Sequence, residues 1–435
     1  MKQTIKNFWA HRKQNGWLIA EIAFISLFSF FFIDHILMIG YNTYVCRADG
    51  EFEREHLLVG SVAGITRENK NKYNYEYRMA DKNIATLYGM RDYLKAIPEV
   101  QSVCFTRDYI GHNGSWSHNG VTVYPEGDTT RTCPVYYQEF IVGGNYFETQ
   151  GLTPVEGSPK AEVLSEECPE DGIVVSRSLA NSIFGTDHVV GRSVVVVHED
   201  VKPAVTKHCK VTGVVKDVKI DPNERYCYSI YEPVPVDSMI PDVLIRLKPE
   251  VDAEEFLSKF SVYEMYKKCD YVPQGLMTYK KKTEYYQGLN STTIALTIMG
   301  TFLCLFLLNV VIGTLGTFWL QIRKRTGDIG IMRSFGAKRR SIFLMIWKEA
   351  ALLTLIACLI GQIIWLQLAI NIGLAEGNIE LKTGRETEWV TQFWPHFLTV
   401  CGAQYLFILF IVTIGIITPS LIATYKKPVD ALHYE

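Results

Sequence analysis

The residues best suited to a specific task sit in one short stretch, RKRTGDIGIMRSFGAKRRS, at 323–341. Arg323, Lys324, Arg325, Arg333, Lys338, Arg339 and Arg340 stand there against a single acid, Asp328, and Ile329, Met332 and Phe335 interrupt them. Those three apolar residues recur at i, i+3 and i+6, near one face of a helix. Gly336 is placed to end that helix before the next apolar run. An apolar stripe with cationic flanks is the chemistry of docking. A loop kept basic only to fix membrane orientation needs the charge but not the stripe.

Other residues with chemical potential are few. His198, Glu199 and Asp200 with His208 resemble a ligand set, but their spacing is neither helical nor repeated, and they read as a solvated strand and loop. His112 and His118 fall in the turn-rich GHNGSWSHNG. No metal site is expected from either group. The chain holds no GxxxxGK[ST], GxSxG or HExxH, so no ATP cradle, serine nucleophile or zinc-protease helix is expected. Cys46, Cys104, Cys133, Cys168, Cys209, Cys227 and Cys269 share one segment, odd in number and without CxxC. Some could pair in an oxidising compartment, but the pairing is not legible. Asp34 and His35 stand inside an apolar run, where ionisable groups are costly, and their role is open.

The 435 residues carry a formal net charge of −2, which argues against nucleic acid as a partner. Hydrophobic residues make up 48% of the chain, and they are clumped. Four clumps, at 16–40, 292–320, 341–370 and 397–425, reach the roughly 20 apolar residues that a spanning helix needs. The first is followed by Tyr41, Asn42 and Tyr44 rather than a cleavage site, and reads as a retained anchor. Lys2, Lys6, Arg12 and Lys13 precede it, the 323–340 cluster follows the second, and Lys426 and Lys427 follow the fourth. Glu376, Glu380, Glu386 and Glu388 dominate the loop between the third and fourth. The positive-inside rule therefore places the 1–15 terminus, the 321–340 element and the 426–435 tail in the cytoplasm, with the 41–291 segment and the 371–396 loop outside. Ala357 and Gly361 form a small-xxx-small pair in the third span, and Gly300, Gly313 and Gly316 give the second a similar surface, as in helix association between protomers.

The outer segment reads as an α/β domain. Ile84, Leu87, Met90, Tyr93, Leu94 and Ile97 have helical spacing before Pro98, and VQSVCFT at 100–106 reads as a strand. At the other end, 242–249 alternates like a strand and 252–266 begins as an Asp-capped helix. The two ends are thus expected to build one subdomain around a strand-rich insertion at roughly 133–230. The charged stretch 47–56 is expected to continue the first span as a helix or connector.

These features together resemble the MacB/FtsX-type permease subunits of ABC transporters, the mechanotransmission or type VII class. The resemblance rests on Asp328-Ile329-Gly330-Ile331-Met332-Arg333 followed by Gly336-Ala337, on IWKEAALLTLIACLIG after it, on the C-terminal KKPVDAL, and on GNYFETQGLTPVEGS and GIVVSRSLANSIFG outside. Asp328 stands where the family often has Glu. The resemblance implies four transmembrane helices with a porter-like α/β subdomain and a β-rich inserted subdomain between the first two. It implies a non-catalytic subunit of a bacterial inner membrane, paired as homodimer or heterodimer and bound to a separate cytoplasmic ATPase that holds the ATP, with membrane lipid and a periplasmic adaptor as further partners. Asp328, Ile329, Met332, Arg333, Phe335, Gly336, Ala337 and Arg340 would form the ATPase contact, with Ile329, Met332 and Phe335 in its groove. The work implied is efflux or extraction of a peptide, drug or lipid from the outer side. A membrane-anchored sensor or scaffold for an outer partner is the alternative reading.

Overall fold

The four apolar clumps become four long helices, and the segment after the first becomes a large mixed sheet. The structure, a computed structural model, describes residues 12–46, 48–50, 55–65, 75–76, 84–106, 120–199, 202–219, 226, 228–234, 242–266, 268–269, 271–282, 284, 291–324, 326–375, 389–390 and 392–425. His112, His118, Asp200, Cys227, Arg325, most of the 371–396 loop and the 426–435 tail lie outside the described residues. The chain divides into two units, one of Met1–Ile39, Ser291–Ile379 and Thr387–Glu435, the other of Gly40–Asn290 and Glu380–Glu386.

The first unit is helical. Helix α1 is Arg12–Tyr44, α8 is Ser291–Lys324, α9 is the short Thr326–Ser334, α10 is Arg339–Ile372 and α11 is Phe393–Tyr425. The four long ones each hold at least 28 residues apolar enough to cross a bilayer, beyond the roughly 20 required. Leu18, Ile22 and Ile25 of α1, Leu303, Val310 and Phe318 of α8, Ile346, Leu353 and Ala357 of α10, and Ile408, Val412 and Ile416 of α11 form their common core.

The second unit is built on one sheet ordered β12-β1-β11-β3-β6-β10-β7-β9-β8-β4-β5, with β2 on β1. Its strands are β1 Leu57–Ile65, β2 Tyr75–Glu76, β3 Val100–Thr106, β4 Val121–Pro125, β5 Cys133–Pro134, β6 Tyr136–Ile141, β7 Gly172–Ser176, β8 Ser193–His198, β9 Val205–Val215, β10 Ser229–Val234, β11 Asp242–Leu247 and β12 Tyr271–Thr278. The antiparallel run β12-β1-β11-β3 comes from the two ends of the segment, as the sequence leads one to expect. Helix α2, Ile84–Lys95, buries Leu87, Met90 and Leu94 against it. The inserted strands run from β4 to β10, somewhat wider than the expected bounds, and mix antiparallel pairs with the parallel pairs β10–β6 and β7–β9. Short helices lie between these strands: α3, Tyr146–Gln150, α4, Ala161–Glu166, and α5, Arg177–Phe184, which starts beside Asp217. Thr106 opposite Phe140 joins the two halves.

Two details differ from the pattern in the sequence. The 252–266 helix is broken into α6, Ala253–Lys259, and α7, Val262–Tyr266. Asp252 caps α6 as expected, accepting the Glu255 N–H at 2.7 Å. Phe256 and Met265 are both buried in one core, yet nine residues apart they would fall on opposite faces of an unbroken helix, and the break at Phe260 resolves this. The first long helix ends at Tyr44, so the part of the 47–56 stretch that is described is connector.

Candidate functional site: a basic elbow and a buried polar seam

The 323–341 stretch is an elbow between α8 and α10. The N–H of Ala337 bonds to the Met332 carbonyl at 3.0 Å, and that of Gly336 to the Arg333 carbonyl at 3.0 Å. Gly336 has φ +89, so α9 closes in a Schellman turn whose left-handed position only glycine adopts without cost. Met332 and Ala337, the two residues such a turn brings together, both pack on the core of the bundle.

The expected docking stripe divides here. Ile329 is 4% exposed, packed with the core residues Leu18, Ile22, Ile342 and Ile346, and Met332 shares its side. Phe335 is 88% exposed, and Ile331 is exposed beside it. The reason is angular: at roughly 100° per residue, Ile329 and Met332 face one way, while Phe335 lies about 120° round and just past the last helical turn. The surface on offer is therefore Asp328, Ile331, Phe335, Lys338, Arg339 and Arg340, with Arg333 half-buried. Ile329 is packed into the bundle, and Met332 lies partly buried against it.

The small residues of the spans are also used within the protomer. A Cβ on Gly361 would lie 1.5 Å from Ser26 Oγ and 2.9 Å from the Ala23 carbonyl oxygen, and Ala357 is fully buried, so α1 and α10 touch along this pair. Gly313 packs on the Glu21 carboxylate and Gly300 on the Phe32 ring, both of α1, while a Cβ on Gly316 would meet nothing. Ala357 and Gly361 thus lie where α10 meets α1 within one chain.

A polar seam runs through α1, α10 and α11. Gln404 Nε2 donates to the Ser26 carbonyl and to Ser29 Oγ, and Gln362 Nε2 donates to Gln404 Oε1 at 2.9 Å and to the Cys401 carbonyl at 3.1 Å. Asp34 pairs with His396 at 2.8 Å and also accepts the Ala375 N–H at 3.0 Å. Its neighbour His35 donates from Nδ1 to the Phe31 carbonyl of its own helix at 2.9 Å. The sequence flagged Asp34 but not its partner, because His396 is remote in the chain.

In the sheet unit, the chain that follows α1 is tied to the inserted strands. Asp49 Oδ1 accepts the Asp217 N–H at 2.8 Å, Asp49 Oδ2 accepts from Arg177 Nη1 at 2.6 Å, and the Gly50 N–H bonds to the Asp217 carbonyl at 2.8 Å. A Cβ on Gly50 would lie 2.7 Å from that carbonyl, so glycine is required. Asp217 in turn accepts from the Ser178 N–H and hydroxyl at the start of α5. Burial drives the Asp217 carboxyl up to about 6, against the opposing pull of these Ser178 bonds.

The histidines that stand near acids in the sequence do not converge. His198 lies 3.4 Å from the buried Glu232, which Lys207 also contacts, whereas His208 is exposed and meets Glu126 at 3.1 Å. Burial raises the Glu232 carboxyl, but the His198 and Lys207 contacts outweigh it and leave it below the usual range. Among the described residues no three His, Cys, Asp or Glu side chains are grouped to hold a metal. Cys104 and Cys209 are buried thiols, pushed up by that burial to about 12 and about 11, which makes them poor nucleophiles.

Residues 300–428 match the FtsX-like permease C-terminal family. The uncharacterized ABC transporter permease YknZ of Bacillus subtilis (strain 168) is 31% identical over 150 residues, 33% of this chain and 33% of that protein. The match thus spans a third of that relative's length. The periplasmic region of MacB from Actinobacillus actinomycetemcomitans aligns at 12% identity with a TM-score of 0.31, covering 54% of this chain and 94% of that one. The extracellular domain of YknZ from Gram-positive bacteria aligns at 13% identity and a TM-score of 0.28, covering 49% and 98%. The residues matched to the FtsX-like permease C-terminal family run from Gly300 in α8 through α11 and take in the elbow.

Proposed function

We propose that this chain is the membrane subunit of an ABC transporter, working with a separate cytoplasmic ATPase that binds and hydrolyses the ATP. The observation that carries the reading is the exposed pair Ile331 and Phe335 beside Lys338, Arg339 and Arg340, on an elbow fixed by a glycine turn. A fully exposed phenylalanine among cations is an anchor for a protein groove, and the turn holds it in place. The polar side chains of the seam are bonded to one another, which favours motion passed along helices over a hydrated path between them. Two such subunits with two ATPases, in the inner membrane with both termini inside, would draw a peptide, drug or lipid from the outer side.

The test is co-purification of the ATPase with Phe335→Asp and Ile331→Asp. Each should cost about 2 kcal/mol or more of binding, roughly a thirtyfold loss of affinity, with the bundle's thermal midpoint unchanged. Ile329→Asp is the contrasting variant, expected to unfold the bundle because it buries a charge. An undiminished complex with both surface variants would defeat the reading.

A further inference from the structure

Asp34 is 3% exposed and His396 is 1% exposed, at the end of the bundle where α1 leaves it. Asp34 Oδ1 meets His396 Nε2 at 2.8 Å, in the first turn of α11, and Oδ2 accepts the Ala375 N–H at 3.0 Å, just past α10. His396 Nδ1 faces the Val390 carbonyl at 3.0 Å. A carbonyl only accepts, so Nδ1 carries a hydrogen. One further proton lies between Nε2 and Oδ1, and whichever atom holds it, the pair is neutral as a unit. Both carboxyl oxygens and both ring nitrogens are thereby satisfied, which is the condition for keeping them out of water. Phe30 packs on Trp365 and Phe397 at centroid distances of 5.2 and 5.4 Å, and Trp389 stands edge-on to His396 at 5.3 Å. The neighbouring His35 turns to the Phe31 carbonyl instead.

We propose that Asp34 and His396 form a clamp that fixes the end of α1 to the ends of α10 and α11, so that the three helices move as one body there and α1 does not slide along its neighbours. The clamp is independent of any ATPase partner. Its signature is that it needs hydrogen bonds and not charge. Asparagine at 34 could accept the Ala375 N–H through its oxygen and donate to a neutral His396 Nε2, keeping every contact. A carboxylate that carried protons or bound a cation would not survive that change.

Hydrogen exchange of the full chain in lipid nanodiscs tests this. Asp34→Asn should leave exchange at Ala375 and along 393–397 within about twofold of the unaltered protein, while Asp34→Ala and His396→Ala should speed it roughly tenfold to a hundredfold. Nitrogen-15 spectra of labelled histidines give a second readout that rests on the asparagine variant alone. The ring that responds to Asp34→Asn should carry a hydrogen on Nδ1 and none on Nε2. Exchange in Asp34→Asn as fast as in Asp34→Ala, unchanged exchange in Asp34→Ala, or an Nδ1 without hydrogen would each overturn the clamp. Failure of the ATPase to co-purify would leave these results untouched, so the two proposals fail separately.

Discussion

Asp217 shows how one buried group gives the connector a dependence on acidity. Its carboxyl titrates near 6 instead of the ordinary 3.8, first because burial disfavours the charge. Between those values the folded protein holds a proton that the unfolded chain releases, so stability falls as pH rises through the window and the full cost is present above it. Lowering the pH from 7.5 to 5.5 should therefore raise the thermal midpoint through this group. Glu232 has the opposite sign, being held below its ordinary 4.5, so its contribution fades only as pH falls below 4.5, beneath the range of this comparison. The expected outcome is a gain on acidification in the unaltered full chain that Asp217→Asn abolishes. An equal gain in both would place the titration elsewhere. Nothing in the sequence marks Asp217: its neighbours Asp49 and Ser178 are 168 and 39 residues away.

At the scale of elements, periodicity in the sequence says that a helix has an apolar face, but not what covers it. Ile329 and Met332 were legible as a stripe, and the bundle takes them, because a nine-residue helix between two spans lies within reach of both. Gly336 was legible outright, since a left-handed helix end has few other solutions. Ala357 and Gly361 were legible as a close approach, though the helix approached was not. That assignment is testable. Gly361→Ala places a Cβ against Ser26, whose hydroxyl can turn aside, and 2.9 Å from the Ala23 carbonyl, which cannot. It should cost about 1–3 kcal/mol of bundle stability by overpacking. Ser26→Gly should restore part of this, giving a coupling energy of about 0.5 kcal/mol or more in the double-mutant cycle. If the pair instead joined two protomers, Gly361→Ala would lower the mass of the assembly and leave the thermal midpoint alone.

For the whole molecule, the alternation of four apolar runs with one polar domain was plain because a bilayer demands length and apolarity, which composition alone records. The two-ended subdomain was visible too, as matching helix and strand signals at 84–106 and 242–266. The merging of its strands with the insertion into one sheet was not, since the Thr106–Phe140 contact has no local signature. Sidedness is the remaining global property, and it decides whether the elbow can meet a cytoplasmic ATPase. The basic residues at 323–340 predict that it can. Cysteine labelling in intact cells would show this, and the native thiols permit it: Cys104, Cys133, Cys168 and Cys209 are buried, and Cys304 lies on a span. With Cys227 replaced by serine, Val205→Cys on β9 should react with a membrane-impermeant reagent, because Val205 is exposed. Ser334→Cys on α9 is exposed as well, and should react only after the membrane is opened. Labelling of Ser334→Cys from outside would reverse the topology, and a reversed topology would remove the elbow from any cytoplasmic partner however well its phenylalanine were placed.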